Sequence, residues 1–273
     1  MSDQQKFIDI KRVIADKNPK LLKWTPGFVV KYLKNILHED EINEVIENNK
    51  DKLNIEFCEE VIKHFNIQLT TQGLDNVPEK GGCILAINHP LGGMDAMAIV
   101  TLLKQKRTDI KFIVNDVLMN LVNLQGMFVG VNKHGKNVKE SLRKVDELFA
   151  TDQLICVFPA GLVSRKKKGE IRDLEWKKTF ITRARKHQRL IIPTYIDGEL
   201  SNFFYRLSNM RTKVGVKTNI EMLYLVNEMF KQRNKKMKVI FGKPIVSNDL
   251  DRKIKSDAEW AEEIKNKVYQ LDR

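Results

Sequence analysis

The sequence predicts an α/β fold: a largely parallel sheet flanked by helices, with an N-terminal helical prefix. Three observations carry this. From residue 83 onward, short apolar runs alternate with helical patterns, the order expected when crossover helices join parallel strands. At 273 residues, 42% hydrophobic and 30% charged, the chain can bury a sizeable core and has a globular composition. The pair Gly81-Gly82 marks a turn just before the first apolar run.

Residues 1–34 carry eight Lys/Arg against three Asp, interleaved with Phe7, Ile8, Ile10, Val13, Ile14, Trp24, Phe28 and Leu33. Ile10, Val13 and Ile14, with Lys11 and Lys17 nearby, fit a short amphipathic helix, and Pro26 suits the opening of another. Such a prefix either lies in a membrane interface, with Trp24 near the headgroups, or packs as a helical cap. Residues 39–65 turn acidic and predict one or two further helices. Strands are expected at 83–87, 110–114, 127–131, 153–158, 190–196 and 237–241. Helices are expected at 96–106, 138–150, 174–187, 219–233 and 256–271. The last opens with Ser256-Asp257-Ala258-Glu259, a capping box, and sets Trp260, Ile264, Val268 and Leu271 on one face. The organisation expected is an N-terminal helical region, 1–70, and a main domain, 71–273, with no repeat or low-complexity tract.

The chemistry concentrates in Asn88-His89-Pro90-Leu91-Gly92-Gly93-Met94-Asp95, directly after the first apolar run. On one helix, at about 100° per residue, the step from His89 to Asp95 would turn the two side chains apart. A loop can bring them together, and Gly92-Gly93 supplies the backbone freedom for a tight return. The simplest reading is an Asp that fixes the tautomer of a His, which then takes a proton from a hydroxyl. His89, Lys133 and Gly161 all follow expected strand ends, where ligands gather in such sheets.

This arrangement resembles the signature of the PlsC-like glycerolipid acyltransferase superfamily, in which a His and an Asp activate an acceptor hydroxyl. Three more blocks match in the same order. Residues 126–133, ending in Asn132-Lys133, are similar to the block whose basic residue helps hold the acceptor. Phe158-Pro159-Ala160-Gly161-Leu162-Val163-Ser164-Arg165 is similar to the third block, and Leu190-Ile191-Ile192-Pro193 to the fourth. One residue more than usual separates His89 from Asp95; this form looks most like the bacterial branch that acylates lyso-ornithine and related amino-acid lipids. Ala160 stands where the third block usually has Glu, and Leu162-Val163 where it has Thr-Arg. Lys133 offers a point charge where an Arg fork is common. These departures argue against a lysophosphatidate acceptor more than against acyl transfer.

The resemblance implies that His89 is the base, oriented by Asp95. Asn88, Gly92, Gly93, Asn132, Lys133, Pro159, Gly161, Ser164 and Arg165 would line the substrate site. Backbone N–H groups near Gly161, or at the helix start after Gly93, would hold the oxyanion. It implies a lysolipid acceptor and an acyl thioester of acyl carrier protein or coenzyme A, with no cofactor. No Gly-x-Ser-x-Gly is present, so direct transfer is expected. His38, His64, His134 and His187 show no metal-ligand spacing with each other or with the cysteines, and no Walker or dinucleotide motif occurs.

Cys58, Cys83 and Cys156 read as buried reduced thiols, which suits a cytoplasmic compartment. No apolar run is long enough to span a bilayer and no signal-peptide core is seen, so a peripheral place on the inner membrane face is expected. The net charge of +13 is uneven: residues 165–189 hold eleven basic against three acidic residues, and 231–238 five basic and none acidic. Such clusters suit an anionic membrane surface or an acidic carrier protein. The reading from another class is a non-catalytic basic protein binding anionic lipid or nucleic acid. Nucleic acid is not expected, because the sequence shows no stacking platform or reading helix, and this reading leaves the His89-to-Asp95 pattern unexplained.

Overall fold

The structure, a computed structural model, describes residues 6–131 and 138–272. It forms two compact units, one of residues 53–200 with 234–273 and one of residues up to 52 with 201–233.

Among the described residues the larger unit is built on nine strands: β1 (Gln68–Gln72), β2 (Cys83–Ile87), β3 (Ile110–Asn115), β4 (Phe128–Val131), β5 (Leu154–Val157), β6 (Arg165–Lys167), β7 (Glu170–Arg172), β8 (Leu190–Ile196) and β9 (Lys236–Phe241). Seven form one sheet in the order β1-β9-β8-β2-β5-β3-β4. Every neighbouring pair in it is parallel except β8 with β9. The largely parallel α/β sheet expected from the sequence is therefore present. Cys83–Ile87 is buried at every position, the pattern of an interior strand covered on both faces. One core packs Phe149, Trp176, Phe180, Ile181, Trp260 and Ile264 against Ile84 and Ile155. Helices Ile55–His64 and Gly93–Leu103 pack against each other.

The smaller unit consists of helices Ile10–Lys17, Pro19–Trp24, Gly27–Ile36, Glu39–Asn48, Asn202–Lys213 and Leu225–Phe230, with a 3-10 turn over Ile220–Tyr224. Its polar anchor is Glu39, buried, which accepts the Ile10 N–H at 3.0 Å and Lys34 Nζ at 2.6 Å. Glu228, also buried, caps the 202–213 helix by accepting both the N–H and the hydroxyl of Ser201. His38 stacks on Phe230 with centroids 3.7 Å apart.

Several boundaries differ from the sequence reading. Strand β1 is unexpected, since Gln68-Leu69-Thr70-Thr71-Gln72 lacks an apolar run; it is a mostly exposed edge strand pairing only with β9. The helix expected over 174–187 is Thr179–Lys186. Residues before it serve elsewhere: the Lys177 N–H donates to Pro159 O at 3.1 Å, and Trp176 Nε1 to Asp173 at 2.8 Å. Residues 165–172, read as a basic run, form the hairpin β6–β7, turning at Lys168 and Gly169 with positive φ at both. The helix expected over 219–233 is a 3-10 turn followed by a short α-helix, and Asn202–Lys213 is a helix that the sequence reading left unassigned.

Candidate active site

Strands β2, β3, β4 and β5 run parallel, so their carboxyl ends share one rim. The turn after β2 carries His89 and the turn after β5 carries Phe158 to Gly161, so the first and third sequence blocks meet there. Asn132 and Lys133, expected to contribute from beyond β4, lie outside the described residues.

His89 Nδ1 lies 2.9 Å from Asp95 Oδ2. The helix starts at Gly93, earlier than the sequence pattern indicates, so Asp95 sits in its first turn. The contact is closed by the intervening turn. Gly92 takes φ +70° and ψ −130°, a conformation that favours glycine, and its carbonyl accepts the Asp95 N–H at 3.1 Å. Asp95 is fully buried and both its oxygens lie within reach of the Leu91 N–H, at 3.2 and 3.0 Å. Burial pushes its carboxyl above the ordinary value, while the His89 and Leu91 hydrogen bonds pull the other way. The His89 side chain is 18% exposed, so its ring reaches solvent while its partner does not. One imidazole face stacks on Phe158 at 4.2 Å, and Phe158 in turn stacks on Phe112 at 6.2 Å. With Nδ1 held by the carboxylate, Nε2 is the nitrogen available for a proton from an incoming group.

The remaining expected site residues separate into two sets. Gly93 is exposed at the helix start, and a Cβ there would meet nothing within 4 Å, so its surroundings are open. Gly161 is exposed as well, with φ +67°. Asn88, Pro159, Ser164 and Arg165 are buried. The Asn88 amide accepts the Ile196 N–H at 2.7 Å and donates to Ile196 O at 2.9 Å, tying the ends of β2 and β8 together. The Ser164 N–H donates to His89 O at 2.8 Å, and Arg165 turns its guanidinium to the carbonyls of Val163 and Ser164.

Much of the basic run is likewise turned inward. Arg189 donates to the carbonyls of Cys83, Phe149, Thr151 and Gln153; Arg183 pairs with Asp146 at 2.9 Å; Arg185 pairs with Asp257.

Sequence reasoning missed Asp173. It is buried, and its carboxylate accepts the His89 N–H at 3.2 Å, the Ser164 hydroxyl at 2.6 Å and the Trp176 indole at 2.8 Å. The Asp173 N–H donates to the Tyr269 hydroxyl at 2.7 Å. Its only mark in the sequence is an acid inside a strongly basic run, where a buried charge needs several donors.

A family model described as "Acyltransferase" matches residues 12–273. The chain belongs to that acyltransferase family. Two relatives named lyso-glycine lipid O-acyltransferase align with this acyltransferase over nearly its whole length. The protein of Bacteroides thetaiotaomicron is 43% identical, covering 99% of this chain and 100% of its own. That of Phocaeicola vulgatus is 41% identical, covering 99% and 98%. Among solved structures, the crystal structure of the 1-acyl-sn-glycerophosphate (LPA) acyltransferase PlsC from Thermotoga maritima matches 88% of this acyltransferase and 95% of that chain, with TM-score 0.48 and 16% identity.

Proposed function

We propose that this acyltransferase moves a fatty acyl group from a thioester to the hydroxyl of a lysolipid with an amino-acid head group, of the lyso-glycine type. The observation that carries the reading is the 2.9 Å His89–Asp95 contact at the sheet rim. It is supported by two relatives, 43% and 41% identical, that are named for that acceptor.

In this mechanism His89 Nε2 takes the acceptor's hydroxyl proton as the oxygen attacks the thioester carbonyl carbon. The buried carboxylate of Asp95 orients the ring and stabilises the imidazolium, contributions typical of such pairs. Backbone N–H groups at the Gly93 helix start hold the tetrahedral oxyanion, since the Gly161 N–H is taken by the Phe158 carbonyl at 3.0 Å. Collapse breaks the C–S bond, and the imidazolium proton leaves with the thiolate. The ester and a free thiol are the products. The donor is acyl carrier protein or coenzyme A, no further cofactor takes part, and the enzyme works at the cytoplasmic face of the membrane in lipid synthesis. Asn132 and Lys133 are proposed to hold the acceptor, and apolar Leu162-Val163, where the third block usually supplies Thr-Arg to an acceptor phosphate, favours a carboxylate head group.

The test supplies the purified protein with a long-chain acyl thioester and equal concentrations of lyso-glycine lipid and lysophosphatidate. Thiol release is followed, and the products are resolved by mass spectrometry. Diacylated glycine lipid should predominate. Thiol release without acylated lipid, or a clear preference for lysophosphatidate, would overturn the reading.

A further inference from the structure

The turn that brings His89 to Asp95 rests on the segment that leaves a neighbouring strand. β2 and β8 are parallel partners, Ile87 opposite Thr194, so the chain leaves both at one rim. The Asn88 amide clasps the Ile196 main chain there, at 2.7 and 2.9 Å. Three residues later, Leu91 meets Gly198. A Cβ added at Gly198 would lie 2.7 Å from Leu91 Cδ1 and 2.8 Å from its Cγ, well inside carbon–carbon contact distance. Gly198 has no positive φ, so its backbone does not ask for glycine. The position uses the missing side chain.

Neither partner can step aside cheaply. The Asp197 N–H donates to Lys238 O at 2.9 Å, which pins the segment to β9. Leu91 is buried, so its side chain has no solvent to swing into, and a packed interior passes strain on to the main chain. That main chain serves the chemistry. The Leu91 N–H lies 3.2 and 3.0 Å from the two Asp95 oxygens, and Asp95 Oδ2 is the atom that faces His89 Nδ1. Asp95 is fully buried, so water cannot replace a donor that is drawn away. A Leu91 displaced by one methyl group would carry its N–H off the carboxylate and turn the imidazole with it.

We propose that Gly198 is a positioning residue for the His89–Asp95 pair: its missing side chain seats Leu91, and the seated Leu91 N–H holds the Asp95 carboxylate against the imidazole. The exit of β8 is thus the seat of the catalytic turn. The inference rests on the acyl-transfer reading for its effect on rate, and one arm of its test needs no transfer.

Gly198→Ala should lower kcat about 10- to 100-fold, with KM for acyl thioester and lyso-glycine lipid little changed, measured well below the melting temperature. In nitrogen-15 histidine-labelled protein, the low-field Nδ1 proton of His89, assigned by its loss in His89→Ala, should shift or broaden. Shortening the partner makes room for the new methyl, so Leu91→Ala with Gly198→Ala should regain most of the rate and the parent's proton signal. Gly82→Ala is the control. A Cβ there would lie 2.9 Å from Arg189 Cζ, at the other end of β2, so it should lower the melting temperature and leave kcat and the signal as they are. Should Gly198→Ala not fold, Leu91→Ile moves the branch toward the main chain at constant volume and should shift both readouts the same way, by less. Parent-like kcat and signal in whichever of these two variants folds would overturn the proposal. So would a rise in KM with kcat unchanged, which would set Gly198 against substrate, or a loss that shortening Leu91 does not relieve. If the parent transfers to no acceptor, the functional reading fails, and the proton signal alone decides the Gly198 contact.

Discussion

Asp173 accepts the backbone N–H of His89 at 3.2 Å, across 84 residues of sequence. The same oxygen takes the Ser164 hydroxyl, and Ser164 in turn donates its N–H to the His89 carbonyl. The main chain of His89 is thus gripped on both sides by one buried cluster. Through Tyr269, that cluster also reaches the last helix, Asp257–Gln270.

Removing Asp173 should therefore act on rate through position. Asp173→Ala is expected to lower kcat about 100-fold, the scale on which small displacements of catalytic groups act, with KM changed little. It strands the Ser164 and Trp176 donors in a buried place, so about 1–3 kcal/mol of stability should go as well. Asp173→Asn keeps an acceptor oxygen and should recover part of kcat. Equal kcat in parent and alanine variant, measured well below the melting temperature, would show that the cluster only packs.

The His89–Asp95 pair gives the second expectation. His89→Ala and Asp95→Asn should each lose about 10²- to 10⁴-fold in turnover. Asp95 differs from Asp173 in sign on stability. Burial raises its carboxyl pKa, so the ionised form costs stability at neutral pH, and Asp95→Asn should melt no lower than the parent. Near-normal kcat in folded His89→Ala would refute the mechanism.

The site was legible where chemistry and spacing coincide. His89, the glycine pair and Asp95 could be read because only a turn brings that His and Asp together. The strands Cys83–Ile87 and Leu190–Ile196 could be read because buried parallel strands are continuous apolar runs. Asp173 was not legible: its partners are the main chain of His89, Ser164 and Trp176, and no local pattern encodes that meeting. Strand Gln68–Gln72 was hidden for the opposite reason, as an edge strand has little to bury. Arg165, Arg183, Arg185 and Arg189 looked like surface charge, yet each is turned to carbonyls or carboxylates. Charge counts along a chain cannot separate these two fates.

The cysteines should be silent in the folded protein. Burial pushes the Cys58 thiol up to about 12 and that of Cys83 up to about 11, and Cys156 is raised too. Thiolate is the reactive form, so a disulfide reagent at mildly alkaline pH should titrate almost nothing until denaturant is added. It should then react at all three. Fast reaction of one thiol in native protein, with activity intact, would show that the region around it opens.

The last expectation concerns Asp257, which joins the final helix to the helix Thr179–Lys186. Its carboxylate takes the Thr182 hydroxyl at 2.8 Å and also meets Arg185 and Arg252. These donors hold it well below the usual carboxylate range, with Arg252 the largest contributor. A depressed folded pKa contributes stability above the unfolded value, near pH 4, and loses it as pH falls toward the folded pKa. Asp257→Asn should accordingly destabilise by about 1–3 kcal/mol at neutral pH, with the gap between variant and parent closing below about pH 4. Arg252 is 62% exposed, so added salt should weaken its share, while the Thr182 and Arg185 contacts should persist. The consequence reaches the site: the same helix carries Tyr269, whose hydroxyl accepts the Asp173 N–H. A looser helix should therefore lower kcat on warming before the protein as a whole unfolds. Melting curves from pH 3 to 8, paired with rates at two temperatures, decide it. A stability gap that does not change with pH would show that the Asp257 charge contributes nothing.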